Sequence, residues 1–333
     1  MPRFWKKGER PGQPLRIFYA SDFHGSDTTF RKFVNAGKFY QADVLICGGD
    51  LMGKTVVPVV ADGRGSRYAY LHGQRQEFTS REEIANFKMA LGKTGAYTVD
   101  CEQDECESLS KDKDEVEKLF NKLATERLES WIGFAQERLA GTSTRCFLGG
   151  GNDDTEEFLE QLKDMPGDNL VYSESGVHPL DDRHVLVTVG YSSPTPWNTP
   201  REKTEEEIES AITSVTGEVA DLSSAIFNFH VPPIDSTLDR CIKLDAAVWP
   251  PAPLMDHGQP VYFGAGSQAV RTAIETMQPA AGLHGHIHES RGVVKLGGTM
   301  SFNAGSEYGE GLLRGLIVSV RDSRVLDYQF TSG

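Results

Sequence analysis

The sequence predicts an α/β protein on three observations: a βαβ unit at its start, a series of short buried strands that each end in a glycine or polar turn, and an alternating, turn-rich last third. The unit consists of the apolar run Leu15–Ala20 (LRIFYA), a helix-like stretch over 28–39 and a second apolar run over 42–47 (ADVLIC). Runs of this length, closed by Ser-Asp and by Gly-Gly-Asp, read as strands covered on both faces. The runs Arg145–Leu148, 184–189, 225–230 and 280–283 have the same form. Ligands of open α/β sheets bind beyond the carboxyl ends of the strands, so chemistry is expected in the residues just after these runs. Residues 293–330 show three or four short alternating runs separated by turns, the pattern of antiparallel strands.

Between Asp50 and Asn152 lies more chain than the sheet needs, and it predicts a helical insertion at about 76–140. Val116, Leu119, Phe120, Leu123, Leu128, Trp131, Ile132 and Leu139 recur at three- and four-residue steps in a Glu/Lys-rich background, which makes an amphipathic helix with one buried face. The acidic stretch 100–117 reads as a solvated loop and helix start, because charge runs usually face water. The sequence shows no internal repeat, heptad register or low-complexity tract.

With 38% hydrophobic and 25% charged residues over 333 positions, the chain has the make-up of a loop-rich globular protein and not of a disordered or collagen-like one. Its 48 acidic against 34 basic residues give a formal net charge of −14, whose field repels polyanions and argues against nucleic acid and anionic membranes as partners. Cys47, Cys101, Cys106, Cys146 and Cys241 are scattered and form no C-x-x-C pair, so no zinc ribbon or redox motif is expected and a reducing, cytoplasmic setting fits best. Residues 1–16 are basic and polar, and the first apolar run is too short for a signal peptide or a membrane span.

Five short motifs fall at the predicted strand ends: Asp22-Phe23-His24, Gly49-Asp50, Gly151-Asn152-Asp153-Asp154, Asn228-Phe229-His230 and Gly285-His286-Ile287-His288. Each alone is commonplace, as a turn or a helix cap. Together they supply oxygen and imidazole ligands without a thiolate, the mixture that suits Mn, Fe, Zn, Co or Ni. Hydrolysis of a phosphoester calls for a hydroxide at neutral pH, neutralised phosphoryl oxygens and in-line geometry, which two cations about 3.5–4 Å apart can provide. Asp22, His24, Asp50, Asn152, His230, His286 and His288 are enough for two such sites sharing one carboxylate.

In order and content these motifs resemble the calcineurin-like metallophosphoesterases, whose pattern is D-x-H, G-D, G-N with a variable next residue, a lone His and G-H-x-H. The match runs from Asp22 to about Ser306. The stretches 193–201 (SPTPWNTPR) and 285–291 (GHIHESR) are similar to a prokaryotic and archaeal branch of that superfamily, and Asn303-Ala304-Gly305-Ser306 resembles its N-P-G-S turn with Ala304 for proline. The resemblance implies a single domain over 1–333 folded as a four-layer αββα sandwich, two mixed sheets flanked by helices. It further implies that Asp22, His24 and His288 hold one metal, that Asn152, His230 and His286 hold the other, and that Asp50 bridges them. A hydroxide between two divalent ions, manganese first and Fe, Zn, Ni or Co as alternatives, would then attack phosphorus in a phosphodiester, pyrophosphate or phosphomonoester.

The expected catalytic group is Asn152, Asp153 and His230. Many members of the family carry a histidine where Asp153 stands, contacting the phosphate. An aspartate, with an ordinary pKa near 3.9 and cations beside it, is a poor proton donor at neutral pH, which favours pyrophosphate-like or aryl leaving groups. Two further residues have candidate substrate roles. Arg201 is either a phosphate clamp or a salt-bridge partner of the Glu-rich helix start at 202–209, and His284 is either a partner of the site or a strand-end residue. Trp197 reads as packing on its own loop in preference to stacking on a base, and His72, His178, His184 and His257 as ordinary core or surface residues. The insertion has two candidate roles: a lid or cap that defines substrate size, or a surface for self-association. Two alternatives stand beside the small-ester enzyme. A nuclease of the same superfamily conflicts with the charge, and a catalytically silent scaffold of the same fold conflicts with seven filled ligand positions.

Overall fold

Two six-stranded mixed sheets lie face to face in the computed structural model, which describes residues 13–333 except Arg64, Pro166 and Trp249; the basic stretch before residue 13 lies outside the described residues. The first sheet runs, edge to edge, Arg324–Ser332, Arg314–Arg321, Leu15–Ala20, Val44–Cys47, Arg145–Leu148 and Leu170–Tyr172. Its strands from Leu15–Ala20 onward are parallel, with Ile17 beside Val44 and Val44 beside Arg145. The second sheet runs Gly292–Leu296, Thr299–Asn303, Ala281–His284, Ala225–Phe229, Val185–Val189 and Gly176–Pro179, parallel through its four inner strands and antiparallel at both edges.

The two-residue period of the strands sorts the apolar side chains into layers. Leu15, Ile17, Tyr19, Val44, Ile46 and Phe147 face the second sheet, where they meet Leu186, Ile226, Leu283 and Phe302. Phe18, Ala20, Leu45, Cys47 and Leu148 face outward and are covered by the helices Asp27–Phe39, Lys113–Leu139 and Glu156–Asp164 through Phe30, Phe33, Leu128, Trp131 and Phe158. Phe30 and Trp131 stack with ring centroids 4.2 Å apart. On the far side, Val187, Val189, Phe227 and Phe229 are covered by Ile208 and Ile212 of Glu205–Thr216 and by Val270 and Ile274 of Gln268–Met277. The architecture is therefore the four-layer αββα sandwich.

Residues 76–140 are mainly helical, as Arg81–Lys93, Gln103–Leu109 and Lys113–Leu139, but a sheet that the sequence did not suggest joins them. Val56–Ala61, Arg67–Leu71, Gln74–Phe78 and Tyr97–Glu102 form a separate four-stranded sheet, on which the helix Arg81–Lys93 packs around Val57, Val59, Ala69, Phe78, Phe87 and Leu91. Pro58 and the polar strand QRQEF give little strand periodicity, which is why these strands carry no clear sequence signal. The long helix is present as Lys113–Leu139; Phe120 and Leu123 pack half-buried against the core and full burial begins at Ala124, while Val116 is 40% exposed. The acidic stretch forms the solvent-facing helix Gln103–Leu109. Cys101 and Cys106 are joined in a disulfide, a pairing that their scattered positions did not suggest. Among the described residues no helix is long and apolar enough to cross a membrane.

Candidate metal centre

The inner strands of both sheets end along one edge, and their next residues form the site: Asp22 after Leu15–Ala20, Asp50 after Val44–Cys47, Asn152 after Arg145–Leu148, His230 after Ala225–Phe229 and His286 after Ala281–His284. The loops are cross-tied through backbone. Asp22 N–H donates to Gly49 O at 3.0 Å and His24 N–H to Asp50 O at 2.9 Å. Asp22, His24, Asp50 and His286 all adopt left-handed backbone (φ 58°, 42°, 54° and 65°), a conformation that costs such residues of order 1–3 kcal/mol and persists only where the surroundings enforce it.

The seven side chains expected to be ligands converge. His24 Nε2 lies 3.1 Å from His288 Nε2, 4.0 Å from Asp22 Oδ1 and 3.6 Å from Asp50 Oδ2. His230 Nε2 lies 3.4 Å from Asp50 Oδ2 and 3.9 Å from Asp22 Oδ1, and His288 Nε2 lies 3.4 Å from Asp22 Oδ1. Asn152 Oδ1 sits between His230 Nε2 at 3.0 Å and His286 Nδ1 at 2.7 Å, aimed there because its Nδ2 donates to Thr199 Oγ1. Three groups of donors have the spacing of a metal site: Asp22, His24 and His288; Asp22, Asp50 and His230; and His24, Asp50 and Asp153.

The electrostatics suit a cation. Burial alone would raise the carboxyl of Asp22, but the hydrogen bond and charge of His288 hold it well below the usual range; the neighbouring His230 does the same for Asp50. His24 is pushed down by burial and by Lys54, and His286 to about 4 by burial and by His230, so both imidazoles keep free lone pairs at neutral pH. His230 is raised to about 10 by Asp50 against the effect of burial, so it carries a proton at neutral pH that a bound cation beside Asp50 would have to displace. Its Nδ1 faces Gly48 O at 2.8 Å, the kind of outer contact that fixes a ligating histidine's tautomer. His24 Nδ1 is buried without a hydrogen-bond partner, with Asp153 Oδ2 3.6 Å away. Buried, convergent, largely ionised oxygen and imidazole donors fit a divalent ion.

Four residues that the motifs did not single out as functional complete the centre. Asp154 accepts the backbone N–H groups of Leu51, Met52 and Gly151, clamping the Asp50 loop to the Asn152 loop; burial raises its carboxyl to about 7. Lys54 Nζ lies 2.8 Å from Asp153 Oδ2. Burial and Asp50 raise Asp153 to about 6 against the pull of Lys54, higher than expected yet still mainly carboxylate at neutral pH. Tyr308 covers His24 with centroids 4.6 Å apart and meets His288 edge-on. Glu174 lies beneath the Asn152 loop and accepts the N–H groups of Gly150 and Gly190. Of these, Lys54 and Asp154 carried a sequence signal, their closeness to the G-D and G-N motifs.

The structure does not bring Arg201 and His284 into the cluster. Arg201 is 2% exposed and gives its guanidinium to Glu174, Glu156 and Gly151 O, so of its two candidate roles it takes the salt bridge, though with different glutamates from those of 202–209. His284 is fully buried, its Nδ1 facing Phe229 O at 2.7 Å. Trp197 is about half exposed.

No family model matches the chain. Over 155 residues it is 30% identical to the uncharacterized protein MJ1162 of Methanocaldococcus jannaschii, a match that takes in 46% of this chain and 60% of that relative's length. Two solved structures share the fold across nearly the whole chain: one at 14% identity with a TM-score of 0.57, and TT1561 of Thermus thermophilus at 13% identity with a TM-score of 0.52, each covering 96% of this chain and 98% of the other.

Proposed function

We propose that this chain is a metal-dependent phosphoesterase of the calcineurin-like type, acting on a small phosphodiester, pyrophosphate or phosphomonoester. The observation that carries the reading is the convergence of Asp22, His24, Asp50, Asn152, His230, His286 and His288 from five strand ends of two sheets onto one buried cluster. Asp22, His24 and His288 are proposed to hold one divalent ion, Asn152, His230 and His286 a second, and Asp50 to serve both, since its Oδ2 faces His24 and His230 alike. Two such ions, manganese by preference, would neutralise phosphoryl oxygens and lower the pKa of water.

The chain's own residues orient and confine the reactants. Asn152 offers a neutral oxygen fixed by Thr199, and His230 is oriented by Gly48 O. Tyr308 walls the cluster on the side of His24 and His288. Asp153, paired with Lys54, holds no proton firmly at neutral pH, which is the basis for expecting aryl or pyrophosphate-like leaving groups to be favoured over simple alkyl ones. The net charge of −14 sets a polyanionic substrate aside.

The test is metal content by plasma mass spectrometry together with hydrolysis of bis-p-nitrophenyl phosphate and p-nitrophenyl phosphate with added Mn. About two metals per chain and metal-dependent turnover are expected from a two-ion centre. A preparation that takes up no metal and hydrolyses neither ester after reconstitution would overturn the proposal.

A further inference from the structure

We propose that Lys54 is a substrate contact of this centre, its ammonium held by Asp153 and meeting an anionic oxygen of the phosphoester; this rests on the phosphoesterase reading above. The cluster poses an electrostatic difficulty for an anionic substrate. Asp22, Asp50 and Asp153 set three carboxylates around one cluster, and Asp153 is the one with an opening to solvent, its side chain 16% exposed. A bare carboxylate at that position repels any phosphoester that approaches.

Lys54 resolves it. Its Nζ lies 2.8 Å from Asp153 Oδ2 while its side chain is 44% exposed, so the pair is neutral as a unit and presents the ammonium toward solvent. An ammonium carries three donors, of which Asp153 takes one and the rest remain for an arriving oxygen anion.

Both partners are anchored. Gly53 N–H donates to Tyr97 Oη at 2.8 Å, and Gly53 packs so tightly on the loop after His24 that a Cβ on Gly25 would stand 2.8 Å from its Cα. From the other side, Asp153 N–H donates to Asp50 Oδ1 at 2.8 Å. The neighbouring guanidinium groups are committed elsewhere: Arg201 to Glu174, Glu156 and Gly151 O, Arg127 to the carbonyls of Gly25 and Gly92, and Arg291 to Thr331 O and the face of Phe330. Lys54 is thus, among the described residues, a cation positioned to be shared between the protein and a phosphoryl group.

The experiment measures binding of inorganic phosphate to the Mn-loaded protein by calorimetry, with KM for bis-p-nitrophenyl phosphate alongside. Lys54→Met is expected to keep its fold and metal content, to bind phosphate roughly tenfold or more weakly, and to raise KM more than it lowers kcat. Lys54→Arg, which retains the charge, should recover most of the phosphate affinity. Unchanged phosphate binding in metal-loaded Lys54→Met would overturn the proposal. Loss of fold or of metal in that variant would make Lys54 a structural residue and overturn it equally. Phosphate binding needs no turnover, so a wild type that binds metal and phosphate but hydrolyses no ester would defeat the enzymatic reading while the Lys54 contrast still reads.

Discussion

Asp50 divides its two carboxylate oxygens: Oδ1 accepts the backbone N–H of Asp153 at 2.8 Å, and Oδ2 faces His24 Nε2 at 3.6 Å and His230 Nε2 at 3.4 Å. One oxygen fixes the carboxylate and the other stands between two histidines from different sheets. An asparagine keeps the size and the backbone hydrogen bond but removes the charge. Asp50→Asn should therefore weaken both metal sites together and lower kcat roughly 10²-fold or more, a cost typical of losing one electrostatic stabiliser. His230→Ala should weaken chiefly one site. Plasma mass spectrometry and turnover of bis-p-nitrophenyl phosphate check both, and full metal content and activity in Asp50→Asn would remove it from the shared position.

Arg201 and Glu174 form a buried ion pair, 2.5 Å between Nη2 and Oε1, under the loop that carries Asn152. Removing one partner of such a pair leaves the other charge buried and uncompensated, so Arg201→Met should cost about 3–5 kcal/mol in urea unfolding. The double variant Arg201→Met, Glu174→Gln should recover much of that loss. A single variant of wild-type stability with a raised KM would instead favour the other candidate role of Arg201, the phosphate clamp.

His184 carries a pH dependence separate from the metal centre. Its Nδ1 meets Asp181 Oδ2 at 2.9 Å and its Nε2 meets Asp322 O at 2.9 Å, which raise it above its ordinary value in spite of burial, while its hydrogen bond lowers Asp181 against the same effect. A raised histidine contributes stability below its unfolded pKa near 6.5 and loses it as pH rises through the folded value; a lowered aspartate contributes above its unfolded pKa near 3.9 and loses it as pH falls through the folded one. The pair should be strongest near pH 5 to 6. Because Asp181 is 37% exposed, solvent screening keeps the effect to under about 1 kcal/mol. Thermal melts from pH 5 to 9 should show a decline in the wild type that His184→Gln lacks; parallel profiles would dismiss the pair.

The sandwich was legible because its strands are short apolar runs punctuated at their ends, as at Leu15–Ala20 and Arg145–Leu148, and because each ligand motif follows such a run directly. What was not legible lay in contacts across large sequence separations. Tyr97 reaching Gly53, Asp154 bracing two loops and Arg201 turning under the Asn152 loop are long-range pairings that leave no local pattern. The small sheet of the insertion was hidden for another reason: its strands are half polar or interrupted by Pro58, so the period-two signal is weak. Lys54 illustrates the first limit: it lies close to Gly49-Asp50, yet a lone lysine after a turn reads as solvent-facing until Asp153 is placed beside it.

The insertion supports the loop after His24 directly, and Gly95 is where this can be tested. Ser26 Oγ donates to Lys93 O at 2.6 Å, Arg127 Nη1 donates to Gly25 O at 2.7 Å, and Gly95, at φ 99°, lies so close that a Cβ there would stand 2.2 Å from the carbonyl oxygen of His24. Gly95→Ala thus combines left-handed strain, of order 1–3 kcal/mol, with a clash against the backbone of a proposed ligand. The loop must shift, and displaced support of a metal ligand typically lowers affinity roughly 10–100-fold. Gly141→Ala is the matched control, because Gly141 has a similar positive φ of 72° with nothing within 4 Å of its Cβ position. The control should lose stability alone, whereas Gly95→Ala should lose stability and Mn affinity together. Equal metal titrations for the two variants would show that the insertion packs on the loop after His24 without setting its geometry.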